Sequence, residues 1–270
     1  MKHPVASYAV LGLVLAAAIL VPWVSPYDYA TPSWDELDLL PRLGGHLLGT
    51  DDLGRDLLVR LMWGCRISLL VGVLASLTSL VIGVGWGVTA GYLGGRTDAW
   101  MMRTVDVLYS VPFIPFVIVL TVIFGRNIVL LFIAIGAVSW LDIARIARGQ
   151  TLSLRQREFI EAARVGGLTS AQIIRRHIVP NLLGIVFVYL TLTIPTVILI
   201  EAFLSFLGLG AQAPLTSLGV MIAEGAAQMR SRPLLLVQPA LLLAVIVYCC
   251  NRIGDALRDR FDPSASQNHE

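Results

Sequence analysis

Six long stretches of the chain contain no charged residue and are rich in leucine, isoleucine, valine and alanine. A helix that crosses the hydrocarbon core of a bilayer needs roughly 20 mostly apolar residues. Counted against that length, the pattern predicts six transmembrane helices, at about residues 8–24, 67–92, 107–124, 128–141, 182–200 and 234–251. The fourth stretch is short, so we expect its helix to extend into the segment that follows. The pattern therefore predicts an all-α membrane protein.

The first apolar stretch has two interpretations. Lys2 followed by an apolar run is typical of a cleavable signal peptide. No cleavage site of the small-x-small kind follows Pro22 and Trp23, and the run is long. We therefore favour an uncleaved membrane anchor.

Composition supports membrane insertion and argues against other classes. Hydrophobic residues make up 56% of the 270 residues and charged residues only 14%, with a mean hydropathy of +0.77. A soluble domain usually carries about 25% charged residues. The formal net charge is only +2, so the large basic surface that nucleic-acid binding requires is not expected.

Metal and nucleotide chemistry are also disfavoured by the sequence. The cysteines and histidines are scattered, at Cys65, Cys249, Cys250, His3, His46, His177 and His269. They form neither a disulfide framework nor a pair of metal ligands on one helix face. Lys2 is the only lysine, whereas a P-loop needs a lysine after its glycines to reach the phosphates. We therefore expect no ATPase site, no metal and no bound cofactor in this chain.

The distribution of basic residues predicts the orientation. Lysine and arginine near the ends of spans are retained on the cytoplasmic side. With the N-terminus inside, 13 of the 20 basic residues are cytoplasmic, namely Lys2, Arg96, Arg103, Arg145, Arg148, Arg155, Arg157, Arg164, Arg175, Arg176, Arg252, Arg258 and Arg260. We therefore expect both termini in the cytoplasm.

Ionisable side chains are absent from the interior of the six predicted spans. Carriers driven by protons or sodium usually need such a group to bind the coupling ion, so self-powered transport is disfavoured. Glu201, at the outer end of the fifth span, is the nearest exception. It is a carboxylate at the membrane interface, or one paired with a neighbouring backbone group, or part of a gate or pathway. Pro195 and Pro239 mark positions where spans can bend.

The segment 142–180, which we call the arginine-rich loop, is too long for a simple turn between spans and contains seven arginines. Its sequence predicts two short helices separated by a break at Gly166 and Gly167, because glycine permits the backbone conformation that ends a helix. Thr169 or Ser170 can cap the second helix. Pro180 is expected to separate that helix from the fifth span.

The residues alone leave two roles open for this loop. An amphipathic helix with arginines near lipid headgroups can lie on the membrane surface. A short helix with apolar anchors and a charged rim can also dock into the groove of a soluble partner. Ile160, Ile173 and Ile174, among arginines, are the candidate anchors for docking.

Four motifs in the sequence together resemble one family. Glu161-Ala162-Ala163, then Gly167, then Ile178-Val179-Pro180 resembles the EAA loop of ABC-importer permeases, which couples the membrane subunit to its ATPase. The usual ending is Ile-x-Leu-Pro, so His177 and Val179 are mild departures. HLLGTDDLGRD (46–56), LSFLGLG (204–210) and GDALRDRFDP (254–263) are similar to signatures of the second permease subunit of peptide and nickel importers. The resemblance extends from about residue 46 to residue 263.

This resemblance implies a non-catalytic six-helix subunit of the bacterial or archaeal cytoplasmic membrane. Its partners would be a homologous permease, two ATPase subunits that bind ATP and Mg²⁺, and an extracytoplasmic solute-binding protein. The residues that match the coupling loop and its docking helix, with the proline that follows, are Glu161, Ala162, Ala163, Gly167, Gln172, Ile173, Ile174, Arg175, Arg176 and Pro180.

Two of the motifs also have structural interpretations. In HLLGTDDLGRD, Thr50 is predicted to cap a helix whose first turn holds Asp51 and Asp52 and whose leucines lie on the outer membrane surface. A role in receiving the solute-binding protein is the alternative. LSFLGLG is predicted to form a tight re-entrant or extracytoplasmic turn that packs against the partner permease, with a role in the substrate path as the alternative.

The substrate implied by the resemblance is a di- or oligopeptide, and a nickel or other metal chelate is the alternative within the family. A self-contained channel or secondary carrier is the alternative from a different class. We expect one transmembrane domain over residues 1–263, with a short polar tail at 264–270.

Overall fold

The computed structural model describes residues 5–261, and within that range the regular structure is helical apart from one bridge between Thr50 and Asp56. The helices are α1 (Val5–Val24), α2 (Leu57–Leu93), α3 (Gly95–Tyr109), α4 (Phe113–Phe124), α5 (Ile128–Arg155), α6 (Glu158–Val165), α7 (Ser170–Ile173), α8 (Val179–Phe206), α9 (Leu218–Ala227) and α10 (Pro233–Phe261). A π-helical segment, Ile174–Ile178, joins α7 to α8. The predicted polar tail at 264–270 lies outside the described residues.

The long helices agree with the prediction of six spans. Five helices are long and apolar enough to cross a membrane, and the bent pair α3–α4 makes a sixth if it is counted as one span. The fourth predicted stretch does continue, as α5, to Arg155. The all-α membrane architecture is therefore confirmed.

The third predicted span, 107–124, is wrong as a continuous helix. The chain bends by 77° between α3 and α4. Pro112 precedes α4 in an extended conformation, with φ −62° and ψ 120°. Proline has no N–H to donate within a helix, and it also disfavours helical geometry at the residue before it, so the break falls at 110–112.

Helices α2 and α5 form the most closely packed pair because small residues line their contact. Gly83, Gly87 and Gly91 recur every four residues and so share one face of α2. A methyl group on Gly87 would lie 2.2 Å from the carbonyl oxygen of Ala144 on α5. The glycines therefore allow the two backbones to approach closely, as small residues do in membrane helix pairs.

The segment before α2 differs from its prediction. Asp56, not Thr50, caps α2, and its side chain accepts a hydrogen bond of 2.8 Å from the N–H of Val59. The Asp51 carboxylate instead accepts from the backbone N–H of Leu53 and of Arg55, at 2.9 Å each. Gly54 then has a φ of +74°, which a helix does not allow. A loop therefore occupies 50–56, and the predicted helix start at Thr50 is wrong.

The leucines of this region do not lie on an outer surface. Leu57 and Leu61 are buried in the first part of α2 and pack in a cluster with Ala18, Ile198 and residues of α9 and α10. The expectation that this stripe of leucines rests on the outer membrane surface is wrong for Leu57 and Leu61, because α1, α8, α9 and α10 surround this end of α2.

A tight turn ends α8, as predicted. The N–H of Leu209 donates to the Leu204 carbonyl at 2.9 Å, and Gly208 has a φ of +77°. The chain then reaches the short apolar helix α9 at Leu218, whose cap is Ser217.

Arg60 of α2 contacts α9, since its guanidinium donates to Glu224 of α9 at 2.9 and 3.2 Å. The same guanidinium also pairs with Asp51. Helix α9 is therefore tied both to α2 and to the loop before α2.

Candidate functional site

The first half of the arginine-rich loop folds as its glycines predict. Helix α6 ends in a turn in which the N–H of Leu168 donates to the Ala163 carbonyl at 3.2 Å and the N–H of Gly167 donates to Arg164 at 3.1 Å. Gly167 has a φ of +81°, and this combination is the Schellman ending of a helix. The predicted break at Gly166 and Gly167 is confirmed.

The second half begins with a complete capping box. The Thr169 side chain accepts from the N–H of Gln172, and the Gln172 side chain accepts from the N–H of Thr169 at 2.8 Å. Thr169, one of the two predicted caps, is therefore the one used. Gln172 is exposed, but its amide oxygen is already engaged within the loop.

Pro180 does not separate the docking segment from the fifth span. Residues 170–206 form one continuous apolar helix of 37 residues. The turn before the proline widens into a π-helix, in which the N–H of Val179 bonds to the Ile174 carbonyl five residues earlier. Asn181 also donates from its side chain to the His177 carbonyl at 2.6 Å. These bonds satisfy backbone groups near the proline, so the helix continues and the predicted break at Pro180 is wrong.

The isoleucines proposed as docking anchors face inward. Ile160 is 0% exposed and Ile173 is 1% exposed, and Ile174 is half-buried. They pack with Val88, Tyr92, Ala147, Ala163, Ile178, Leu182 and Val186. The apolar stripe of this loop therefore fixes it to α2, α5 and α8, and the expectation that Ile160 and Ile173 reach into a partner is wrong.

A different set of residues forms the surface that points away from the helix bundle. We call it the loop outer face, and its exposed members are Glu161, Ala162, Val165, Gly166, Gly167, Gln172, Arg175 and Arg176. Val165 is 89% exposed, the second most exposed of the large hydrophobic residues in the described chain. The large apolar side chain that this loop exposes most is therefore Val165, and the same loop exposes Glu161, Arg175 and Arg176. Pro180 is exposed one helical turn further along.

Glu201 is buried among the helices of this chain. Its side chain belongs to a residue that is 2% exposed, and its two carboxylate oxygens each accept a hydrogen bond of 2.7 Å, from the hydroxyls of Ser68 on α2 and Ser205 on α8. Ser68 in turn accepts the N–H of Leu218, the first residue of α9, at 3.2 Å. The partners of Glu201 are serine hydroxyls and not backbone groups, so the interpretation as a carboxylate paired with neighbouring backbone is wrong. These four residues, the Glu201 cluster, join three helices.

Small residues allow the helices to meet at the Glu201 cluster. A methyl group on Gly219 of α9 would lie 2.4 Å from the backbone oxygen of Ala202, the residue after Glu201. A methyl group on Gly210 would lie 1.9 Å from the Ser205 hydroxyl oxygen. The start of α9 therefore sits directly against the backbone of α8, and any larger residue would move it.

Several of these residues were not found from the sequence. Val165 carried a signal, because it is an apolar residue directly before two glycines. Ser205 carried one as well, since it follows Glu201 by four residues on the same helix face. Nothing in the sequence pointed to Ser68, because it is 133 residues away from Glu201 and comes close to it only through packing of the helices. Within residues 5–261, no group of three or more histidine, cysteine or acidic side chains is arranged to hold a metal ion.

Residues 83–267 match the family described as the binding-protein-dependent transport system inner membrane component. The oligopeptide transport system permease protein OppC of Escherichia coli K12 is 53% identical over 263 residues, which cover 97% of this chain and 87% of that protein. The dipeptide transport system permease protein DppC of Bacillus subtilis 168 is 40% identical over 263 residues, covering 97% and 82%.

A solved structure shares the fold. An inward-facing structure of the MetNI methionine ABC transporter contains a chain that aligns with a TM-score of 0.60 and 21% sequence identity. The alignment covers 75% of this chain and 96% of that one.

Proposed function

Because the chain belongs to the family of binding-protein-dependent transport system inner membrane components, we propose that it is the permease subunit of an ATP-driven importer of di- or oligopeptides. The observation that carries this proposal is identity of 40 to 53% to permease subunits of oligopeptide and dipeptide systems, over 97% of the chain. This observation favours peptides over the nickel or metal-chelate alternative.

The chain would form one half of the translocation pathway and depend on other subunits. These are a homologous permease, two ATPase subunits and an extracytoplasmic solute-binding protein, as the family description and the membrane architecture suggest. The chain itself would be non-catalytic, with ATP and Mg²⁺ bound by the ATPases. Having Lys2 as its only lysine supports this division of labour.

We further propose that the loop outer face docks on an ATPase subunit. Val165 would enter an apolar groove, while Glu161, Arg175 and Arg176 form its rim. Ile173 and Ala163 would act indirectly, since they are buried and hold the outer face in position. Coupling then requires that the face bind the two ATPase arrangements with different affinity.

At the opposite end of α8, we propose that the Glu201 cluster controls the position of α9 and so contributes to a gate. Support comes from the direct chain of hydrogen bonds from Glu201 through Ser68 to the first N–H of α9. The same burial argues against a self-contained proton- or sodium-driven carrier, since both carboxylate oxygens are already occupied by hydroxyls of this chain.

The orientation with both termini in the cytoplasm is part of this proposal. It places the arginine-rich loop where ATPases can reach it, and it follows the excess of arginine at that end of the bundle. Alkaline phosphatase fused after residue 40 should be active, and the same enzyme fused after residue 165 should be inactive. The reverse result would remove the docking proposal.

The experiment that tests the function is purification of the tagged full chain from its native membrane. We expect a second six-helix protein and two ATPase subunits to co-purify, and proteoliposomes of the complex to accumulate peptide only with ATP and the solute-binding protein. Peptide transport by the chain alone would reject the proposal, as would ATP-dependent uptake of nickel but not of peptide.

A further inference from the structure

One face of α3 carries two arginines and two apolar residues. Arg96, Trp100, Arg103 and Val107 fall within about 60° of the helix circumference, at 100° per residue. All four are exposed, with Trp100 at 78% and Val107 at 58%. We call this set the α3 basic face.

The other sides of α3 pack on the helix bundle and hold its two acidic residues, Asp98 nearly opposite the basic face and Asp106 about 90° from the centre of that face. Asp98 forms two hydrogen bonds with Arg148 of α5, at 2.5 and 2.6 Å, and Asp106 forms an ion pair of 2.9 Å with Arg145 of α5. Val105, which lies about 20° from Asp98 around the helix, is fully buried. Both negative charges of α3 are therefore neutralised by a neighbouring helix.

The α3 basic face keeps its own charges unpaired. Neither Arg96 nor Arg103 forms an ion pair with any side chain of the described part of the protein. The face therefore carries two positive charges beside an indole and a valine. Its chemistry is complementary to a partner with negative charge next to apolar groups.

The angle of α3 places this face at the edge of the bilayer. Helix α4 is wholly apolar over its 12 residues, and α3 meets it at 77°. If the apolar run 107–124 crosses the hydrocarbon, the charged part of α3 before residue 107 lies at the edge of the bilayer, and the 77° bend turns α3 toward the membrane surface. Because its inner side packs on α5, its basic face points sideways from the bundle, at headgroup depth, where tryptophan and arginine are favoured.

We infer that the α3 basic face binds the headgroups of anionic phospholipids. Each guanidinium matches phosphate geometry with two parallel N–H groups, and Trp100 and Val107 reach the boundary of the acyl chains. This inference concerns lipid contact alone, so it stands or falls independently of the peptide-import proposal.

The test uses the full chain reconstituted in phosphatidylcholine nanodiscs that contain a trace of spin-labelled phosphatidylglycerol or spin-labelled phosphatidylcholine. Electron paramagnetic resonance reports the motionally restricted fraction of each label and hence their relative association constants. We expect phosphatidylglycerol to be preferred, and added salt to weaken the preference. Arg96→Gln or Arg103→Gln should each reduce the preference about fivefold, the typical effect of one basic residue near an anionic surface.

A control variant separates local contact from overall charge. Arg126→Gln with Arg230→Gln removes the same two charges from exposed positions elsewhere in the chain and should leave the preference unchanged. The inference is overturned if Arg96→Gln with Arg103→Gln retains the preference, or if the control loses it equally. It is also overturned if Arg103→Cys, labelled with a photoreactive group in the native membrane, crosslinks mainly to a protein subunit and not to lipid.

Discussion

Arg66 of α2 binds the carbonyl group of Ala18 in α1. Pro22, four residues after Ala18, has no N–H with which to close the helical hydrogen bond to that carbonyl. The Arg66 guanidinium takes its place and also donates to the neighbouring Ile19 carbonyl at 2.5 Å. A proline in one helix is therefore matched by an arginine in another, and together they fasten the first helix to the rest of the bundle.

This relationship predicts a dependence between two substitutions. Arg66→Met should lower the free energy of unfolding by about 2 kcal/mol, because it leaves a buried carbonyl without a charged donor. In a Pro22→Ala background the loss should be smaller, since alanine restores the N–H that α1 lacks. Unfolding in mixed detergent micelles would measure the stability of the two single variants and the double variant. If Arg66→Met lowered the free energy of unfolding equally with Pro22 present and in the Pro22→Ala background, Arg66 would not be compensating for the proline.

The close contact of α2 with α5 predicts opposite outcomes for two neighbouring glycines. Gly87→Ala should destabilise the chain by about 1 to 3 kcal/mol, because the new methyl group meets the Ala144 carbonyl at 2.2 Å. Gly85→Ala is the matched control, since nothing lies within 4 Å of its added methyl group. Thermal unfolding of the purified variants should separate them, and similar melting temperatures would show that the two helices have room to adjust.

The Glu201 cluster predicts that two buried serines of α2 differ in importance. Ser68→Ala should cost about 1 to 3 kcal/mol, because it leaves both a Glu201 oxygen and the Leu218 N–H without a partner. Ser76→Ala should be nearly neutral, because the Ser76 hydroxyl is buried with no hydrogen-bond partner among the described residues.

The gate role of this cluster needs a measurement beyond stability. We expect Ser68→Ala to increase labelling of a cysteine placed in α9 at Ala226, because α9 is held less firmly, and Ser68→Thr, which keeps the hydroxyl, to restore protection. Labelling that does not change in Ser68→Ala would leave the cluster with a purely structural role.

If the loop outer face docks on an ATPase subunit, substitutions on it should impair ATP hydrolysis without impairing folding of the chain. In the assembled complex, Val165→Asp should reduce substrate-stimulated ATP hydrolysis at least tenfold while the chain remains folded, because a charge enters the proposed apolar contact. Ile173→Asp should instead reduce the amount of folded chain, since that side chain is 1% exposed within the protein core. Normal hydrolysis in folded Val165→Asp would place the contact elsewhere.

Much of the fold could be predicted from the pattern of charges alone. Helices that cross lipid need uninterrupted apolar runs, so α1, α5, α8 and α10 could be placed by counting. The predicted helix boundaries were wrong at two prolines, because the local hydrogen bonds and backbone conformation decide whether a proline ends a helix. At Pro180 a π-helical turn and Asn181 satisfied the backbone and the helix continued, whereas at Pro112 an extended residue broke it.

The site was harder to predict because burial is set by packing between distant segments. The motif around Gly167 and Thr169 gave the local turns correctly, since caps depend on neighbouring residues. It could not show that Ile173 faces inward, because that depends on Val88 and Leu182 from other helices. Glu201 was placed at a span end by counting charges, yet the serines that bury it are recognised only after the chain has folded.

The unbroken helix through residues 170–206 has a mechanical consequence. Its 37 residues span about 55 Å, from the end that carries Gln172 and Arg175 to the end that carries Glu201. If this helix moves as a rigid body, a displacement of its first residues tilts or shifts its last residues as well. Bending at Pro195 or at the π-helical turn before Pro180 would weaken that coupling. A substitution that makes the helix more rigid at either position should couple the movements of its two ends more strongly. A substitution that makes it more flexible there should weaken that coupling.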